Sequence, residues 1–193
     1  QTTLGEDFEL LGNVTLIYNS NGLVEYASSE VSSSSQYNSA VATSDGGQIA
    51  VGQMTGKIDI KADQTSTGED MNVLSNGNQD MLLTKYSQTG QIDWIVNIGG
   101  TSGIDFMNKV EKIGDTYIAI GQTNGSLFID KKYTYTGEDI DISNSGTKGI
   151  IIQFSEEGKI ISAKMVLGNL LGLATTEDGG YIVTGTIDSN YTI

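Results

Sequence analysis

Apolar and polar residues alternate along this chain in short runs separated by turns rich in Gly, Asp, Asn and Ser. Asn108-Lys109-Val110-Glu111-Lys112-Ile113 alternates, Gly114-Asp115 turns, and Thr116-Tyr117-Ile118-Ala119-Ile120-Gly121 resumes with β-branched and aromatic residues. Period-two alternation on both sides of a tight turn predicts a β-hairpin. A second hairpin is expected over 149–154 and 159–163, around Ser155-Glu156-Glu157-Gly158, with its glycine in the left-handed conformation. Met81-Leu82-Leu83 and Ile150-Ile151-Ile152 are continuously apolar, which suits strands buried on both faces.

The pattern repeats. Tyr18-Asn19-Ser20-Asn21-Gly22-Leu23-Val24, Tyr86-Ser87-Gln88-Thr89-Gly90-Gln91-Ile92 and Phe154-Ser155-Glu156-Glu157-Gly158-Lys159-Ile160 place their glycines 68 residues apart both times. A second element runs out of phase with the first: Gln48-Ile49-Ala50-Val51-Gly52, Tyr117-Ile118-Ala119-Ile120-Gly121 and Tyr181-Ile182-Val183-Thr184-Gly185. The chain therefore reads as half a unit, two whole units and another half. Residues 1–36 are the later half of a preceding unit, and 37–103 form a unit with an insert at 53–79. Residues 104–169 form a unit with an insert at 122–148, and 170–193 are the earlier half of a following one. Four strands per unit in two hairpins predicts an all-β fold of four-stranded antiparallel β-propeller blades, each packed on the next. About three blade equivalents are too few to close a ring in one chain. Gly52, Gly121 and Gly185 recur after the second strand; each marks either a close backbone approach or the end of a strand.

Composition narrows the chemistry. Ten lysines against 24 Asp and Glu give a net charge of −14, which repels nucleic acid. Cys, His, Pro and Arg are absent, so there is no thiolate or imidazole for zinc and no Cys or His for nucleophilic or general-base work. No apolar run of eighteen residues predicts membrane insertion by this segment. Abundant Ser, Thr, Asn and Gly suits an extracellular surface.

Gly99-Gly100-Thr101-Ser102-Gly103-Ile104-Asp105, with Gly114-Asp115-Thr116-Tyr117-Ile118-Ala119-Ile120-Gly121, resembles the β-propeller repeat of bacterial secreted and cell-surface proteins. In that family a Gly-Gly and an Asp precede the first strand, and an Asp-Gly turn leads into a Tyr-Ile-Val-x-Gly strand. The resemblance covers most of 37–185, with departures at Gly168-Asn169 and at the serine run 32–35. It implies a bladed fold in a bacterial, extracellular or cell-surface protein and does not specify a ligand, since propellers host unrelated functions; the reading preferred here is non-catalytic binding of a protein or a glycan through the loop-bearing face.

The units are longer than the roughly forty residues of a plain blade. The excess sits in the two inserts, expected on the face that carries the links between blades, where long loops are functional. Both inserts contain Thr-Gly-Glu-Asp, at 67–70 and 136–139, and Leu4-Gly5-Glu6-Asp7 is a third copy. Glu138, Asp139, Asp141, Ser143 and Asn144 make a candidate calcium site, with oxygen ligands at alternate positions before Gly146. The bidentate Glu that should close such a loop is missing, and Ile152 stands near its place. The alternative is a solvated acidic turn opening a short insert hairpin. Tyr133 and Tyr135 alternate along an expected insert strand and are candidate ligand-binding residues, to stack on a sugar or anchor a protein, or else to cover the blade beneath. No catalytic or cofactor-binding residue stands out. Two other readings remain open: a structural module whose half-blades are completed by further chain or by homo-oligomerisation, and a carbohydrate-active enzyme using paired carboxylates among Asp105, Glu138 and Asp139.

Overall fold

The computed structural model describes residues 13–18, 21, 24–30 and 34–187, whose regular structure is almost entirely antiparallel β-sheet. A first hairpin joins β1 (Asn13–Tyr18) and β2 (Val24–Glu30). The first four-stranded sheet is formed by β3 (Ser35–Ala42), β4 (Gln48–Met54), β7 (Asp80–Tyr86) and β8 (Ile92–Ile98), in that order. Between β4 and β7 the insert forms its own hairpin, β5 (Lys57–Ile60) with β6 (Met71–Leu74). The second sheet repeats the plan with β9 (Phe106–Ile113), β10 (Thr116–Asn124), β13 (Thr147–Ser155) and β14 (Ile160–Val166). Its insert hairpin is β11 (Leu127–Ile129) with β12 (Ile140–Ile142). A final hairpin joins β15 (Asn169–Thr175) and β16 (Tyr181–Thr186).

The inner strands of both four-stranded sheets are buried on both faces. Ile49, Val51, Met81, Leu83, Val96 and Ile98 of the first meet Met107, Val110, Tyr117, Ala119, Ile150, Ile152 and Phe154 of the second in one core. The opposite face of the first sheet packs Ala50, Leu82 and Tyr86 with Met54, Ile58, Ile60 and Val73. The opposite face of the second packs Ile118, Ile120 and Ile151 against Leu170, Leu173 and Val183 of the last hairpin. Met81, Leu82 and Leu83 are all fully buried, as a continuously apolar run in a two-faced strand requires.

The recurrent glycines record a close approach. Each lies opposite a β-bulge in the first strand of its hairpin, where the register slips by one residue: between Tyr37 and Ser39, between Met107 and Lys109, and between Leu170 and Gly172. A Cβ on Gly52, Gly121 or Gly185 would meet the carbonyl oxygen of Gln36, Phe106 or Asn169 at 1.9 to 2.0 Å. The approaching backbone belongs to the paired strand. The residues extruded at the first two bulges, Asn38 and Asn108, then reach across to the next sheet. Asn38 Nδ2 donates to the Met107 carbonyl at 2.8 Å, and Asn108 Nδ2 to the Leu170 carbonyl at 2.7 Å. The first strands β3, β9 and β15 are thereby stitched in series.

The inserts depart from the expected placement. They leave the sheets at the edge that carries the links between units, but then fold back along the sheets and bury an apolar stripe. Ile58 and Ile60 of one, and Leu127 and Ile129 of the other, are at most 6% exposed. Each tip pairs with the start of its own sheet's outer strand: Ser66 N donates to Ile92 O at 3.0 Å and Tyr135 N to Ile160 O at 2.8 Å. Each insert is thus anchored in the core by its apolar stripe, while its outer face and its tip, residues 66–70 or 135–139, are exposed.

Substituting Gly121 by Ala forces a backbone carbonyl aside in a buried sheet and is expected to cost about 3 kcal/mol. Gly137, at φ +74° with open space around it, should lose only about 1 kcal/mol on the same change. Urea unfolding of the two variants measures the difference, and equal losses would refute the close-approach account.

Candidate functional site

The residues singled out by the sequence separate when folded. Lys131–Tyr133, expected as strand, is a 3-10 turn, capped by Asp130, whose carboxylate accepts from Lys132 N at 2.8 Å. Tyr133 and Tyr135 therefore do not share a strand face. Tyr133 packs partly against the core, with Lys132 Nζ 4.6 Å from its ring centroid, while Tyr135 is 71% exposed beside the tip contact to Ile160.

The Thr-Gly-Glu-Asp motifs hold the insert tips together. Asp70 Oδ1 accepts from Ala62 N at 2.8 Å, and Asp139 Oδ1 from Lys131 N at 2.7 Å, so each Asp closes the 3-10 turn of its insert. Buried Thr65 donates to Glu69 O and buried Thr134 to Glu138 O, at 2.9 and 2.8 Å. The third copy, 4–7, lies outside the described residues. Asn144 spends its amide on the carbonyls of Gly125 and Gly146, and Asp141 and Ser143 lie exposed along and just beyond β12. Among the described residues no three acidic side chains are grouped to hold a metal, so Glu138, Asp139 and Asp141 do not converge as a calcium loop requires. Asp105 is buried and accepts from Gly100 N (3.2 Å), Thr123 Oγ1 (2.7 Å) and Asn124 N (3.1 Å). Burial pushes its carboxyl above the usual range while these bonds hold it down. Its oxygens fix the link into β9 and do not face solvent.

What the fold does assemble is a groove of about 270 Å³ between the two inserts. Asn72, Val73, Leu74 and Asn76 form one wall, Phe128, Asp130, Lys132 and Tyr133 the other, and Asn97 at the end of β8 lies between. Asn97 is tied down: its Nδ2 donates to Leu74 O at 3.0 Å and to the buried Asp80 Oδ2 at 3.2 Å. Asn72 and Asn76 are exposed, as are Leu74 at 65% and Phe128 at 48%. Carboxamides beside open apolar faces can hydrogen-bond and stack on the same ligand. No motif marks this groove, because its walls come from different repeats.

A second polar cluster lies at the opposite edge, among the hairpin turns. Lys85 Nζ sits 2.5 Å from Asp45, 3.5 Å from Asp93 and 3.6 Å from Glu156. Glu156 also accepts from Ser44 Oγ at 2.7 Å and Tyr117 Oη at 2.9 Å, and its carbonyl accepts from Trp94 Nε1 at 2.9 Å. This network ties the first sheet to the second. The hydrogen bond from Lys85, then that from Thr43, holds the Asp45 carboxyl well below the ordinary carboxylate range. A depressed carboxylate contributes stability that is full above its unfolded value, about 4, and lost as pH falls through the folded one. Lys85→Met should therefore lower the urea midpoint at pH 7 and shrink the loss of midpoint between pH 5 and pH 2. Parallel pH profiles for the variant and the parent would refute this linkage.

Comparison with protein-family models and with curated proteins finds no match to this chain.

Proposed function

We propose that this chain is a β-propeller segment of a secreted or cell-surface bacterial protein that binds a neutral glycan, without catalysis, in the groove between consecutive inserts. The observation that carries the reading is the pairing of exposed amides, Asn72 and Asn76, with the open side chains of Leu74 and Phe128 across one groove. Amides satisfy sugar hydroxyls, and an aromatic face covers the apolar side of a pyranose ring. At about 270 Å³ the groove is just below the volume typical of drug-sized ligand sites and suits one or two sugar rings. The net charge of −14 disfavours anionic saccharides. Support for blades comes from the two like sheets, packed face to face with their first strands in series.

Screening neutral oligosaccharides on an array, followed by calorimetry on the best binder, tests this. Phe128→Ala and Asn76→Ala are each expected to weaken binding about tenfold, equivalent to about 1.4 kcal/mol. Tyr135→Ala, outside the groove, should leave affinity unchanged, and mass spectrometry should recover the saccharide intact. Binding insensitive to Phe128, or a preference for a peptide segment over every neutral sugar, would overturn the assignment.

A further inference from the structure

The two terminal hairpins are complementary halves of one sheet. In β1–β2, Asn13 opposes Glu30 and Tyr18 opposes Val24, with the register slipping between Ile17 and Tyr18. Moved on by 68 residues this is the β7–β8 pairing, Met81 with Ile98 and Tyr86 with Ile92, slipping between Lys85 and Tyr86. Moved on by a further 68 it is β13–β14, Gly149 with Val166 and Phe154 with Ile160, slipping between Gln153 and Phe154. β15–β16 likewise repeats β3–β4 and β9–β10, with the same bulge opposite the same glycine.

Among the described residues β16 pairs with β15 alone, and its open edge leaves a mark on burial. Tyr181 is 43% exposed, whereas Tyr117 at the same repeat position, stacked on Phe154 of the third strand, is fully buried. Beside β16 lies an apolar groove of about 490 Å³, lined by Ile151, Val166, Leu170 and Val183 among others. In the complete sheets this side of the third strand is filled from Ile150, Ile152 and Phe154, or from Leu82 and Tyr86. The matching register positions of β1 are Val14, Leu16 and Tyr18, all apolar.

We propose that the β1–β2 hairpin of a second copy completes the β15–β16 sheet, in the register that sets Thr15 opposite Thr184 and Tyr18 opposite Tyr181. The register follows from both complete sheets, where Val51 opposes Leu83 and Ile120 opposes Ile151. Main-chain hydrogen bonds along the open edge supply affinity, and the alternating apolar positions fix the register. Two copies joined at both ends hold six complete sheets, within the four to eight blades typical of closed rings. This pairing stands apart from the glycan reading, since it uses neither insert groove.

The chain has no cysteine, so introduced thiols report cleanly. Thr184→Cys and Thr15→Cys variants, mixed under mild oxidation, should yield a cross-linked species of twice the 20.5 kDa chain mass. Neither variant alone should do so, and Thr184→Cys mixed with the out-of-register Tyr18→Cys should link far less. Light scattering on the unaltered chain should give a mass of two chains. Ile182→Asp, at an exposed edge position, should return it to one chain with an unchanged circular dichroism spectrum. Absence of the in-register cross-link, equal linking out of register, linking of Thr184→Cys with itself, or a single-chain mass for the parent would each overturn the proposal. A ladder of ever larger multiples would overturn the closed pair.

Discussion

The carbonyls of Gln36, Phe106 and Asn169 each point at a glycine on the neighbouring strand, in a space that no Cβ can share. That approach is the inner side of a bulge, and the bulge decides where the extruded side chain goes. Asn38 and Asn108 are thrown outward far enough to bond the backbone of the next sheet's first strand. One local distortion thus fixes both the pairing within a hairpin and the spacing between consecutive sheets. With the first strands held close, the apolar faces behind them meet, and the core joining the two sheets is buried throughout. The series stops at the third bulge, where Leu171 replaces Asn and is half exposed.

Strand positions were readable because each strand of the two units carries its own signal: alternation in β9, a continuous apolar run in β7, and a positive-φ glycine in the connecting turn at Gly90 or Gly158. The 68-residue period anticipated which strands occupy equivalent positions, and the shared registers of β1–β2, β7–β8 and β13–β14 follow it residue for residue. Gly52 and Gly121 admit two readings from sequence alone because a bulge is invisible there: the extruded Asn looks like any polar residue of an alternating strand. Tyr133 and Tyr135 misled for a related reason. Alternation over a few residues cannot tell a strand from an extended segment broken by a 3-10 turn, and Asp130 capping Lys132 decides it locally.

The acidic motif shows how a repeated polar signature can be structural. Asp70 and Asp139 accept from backbone amides at equivalent sites, and Thr65 and Thr134 bury their hydroxyls on the carbonyls of Glu69 and Glu138. Each turn must present backbone N–H groups to something, and at the insert tip the motif supplies the acceptors. Both copies recur because both inserts face the same problem, folding a long excursion back onto the sheet that produced it. The groove residues have no such shared task. Asn76 and Phe128 come from opposite walls and different repeats, so nothing in either segment alone announces them.

Placing the groove between inserts has a consequence for assembly. Each wall belongs to a different sheet, so the site's width is set by the spacing of the sheets and hence by the stitched first strands. Asn97 carries that spacing to the rim: it is anchored to Leu74 O and to Asp80, while two residues later Gly99 pairs with Phe128 of the opposite wall. Asp80 is itself held by the backbone amides of Asn76 and Gly77, so the amide-bearing loop and the outer strand share one buried carboxylate. A groove built this way exists only where two insert-bearing sheets are adjacent, so in a repeat array the number of grooves follows from the number of neighbouring insert pairs rather than from the number of chains.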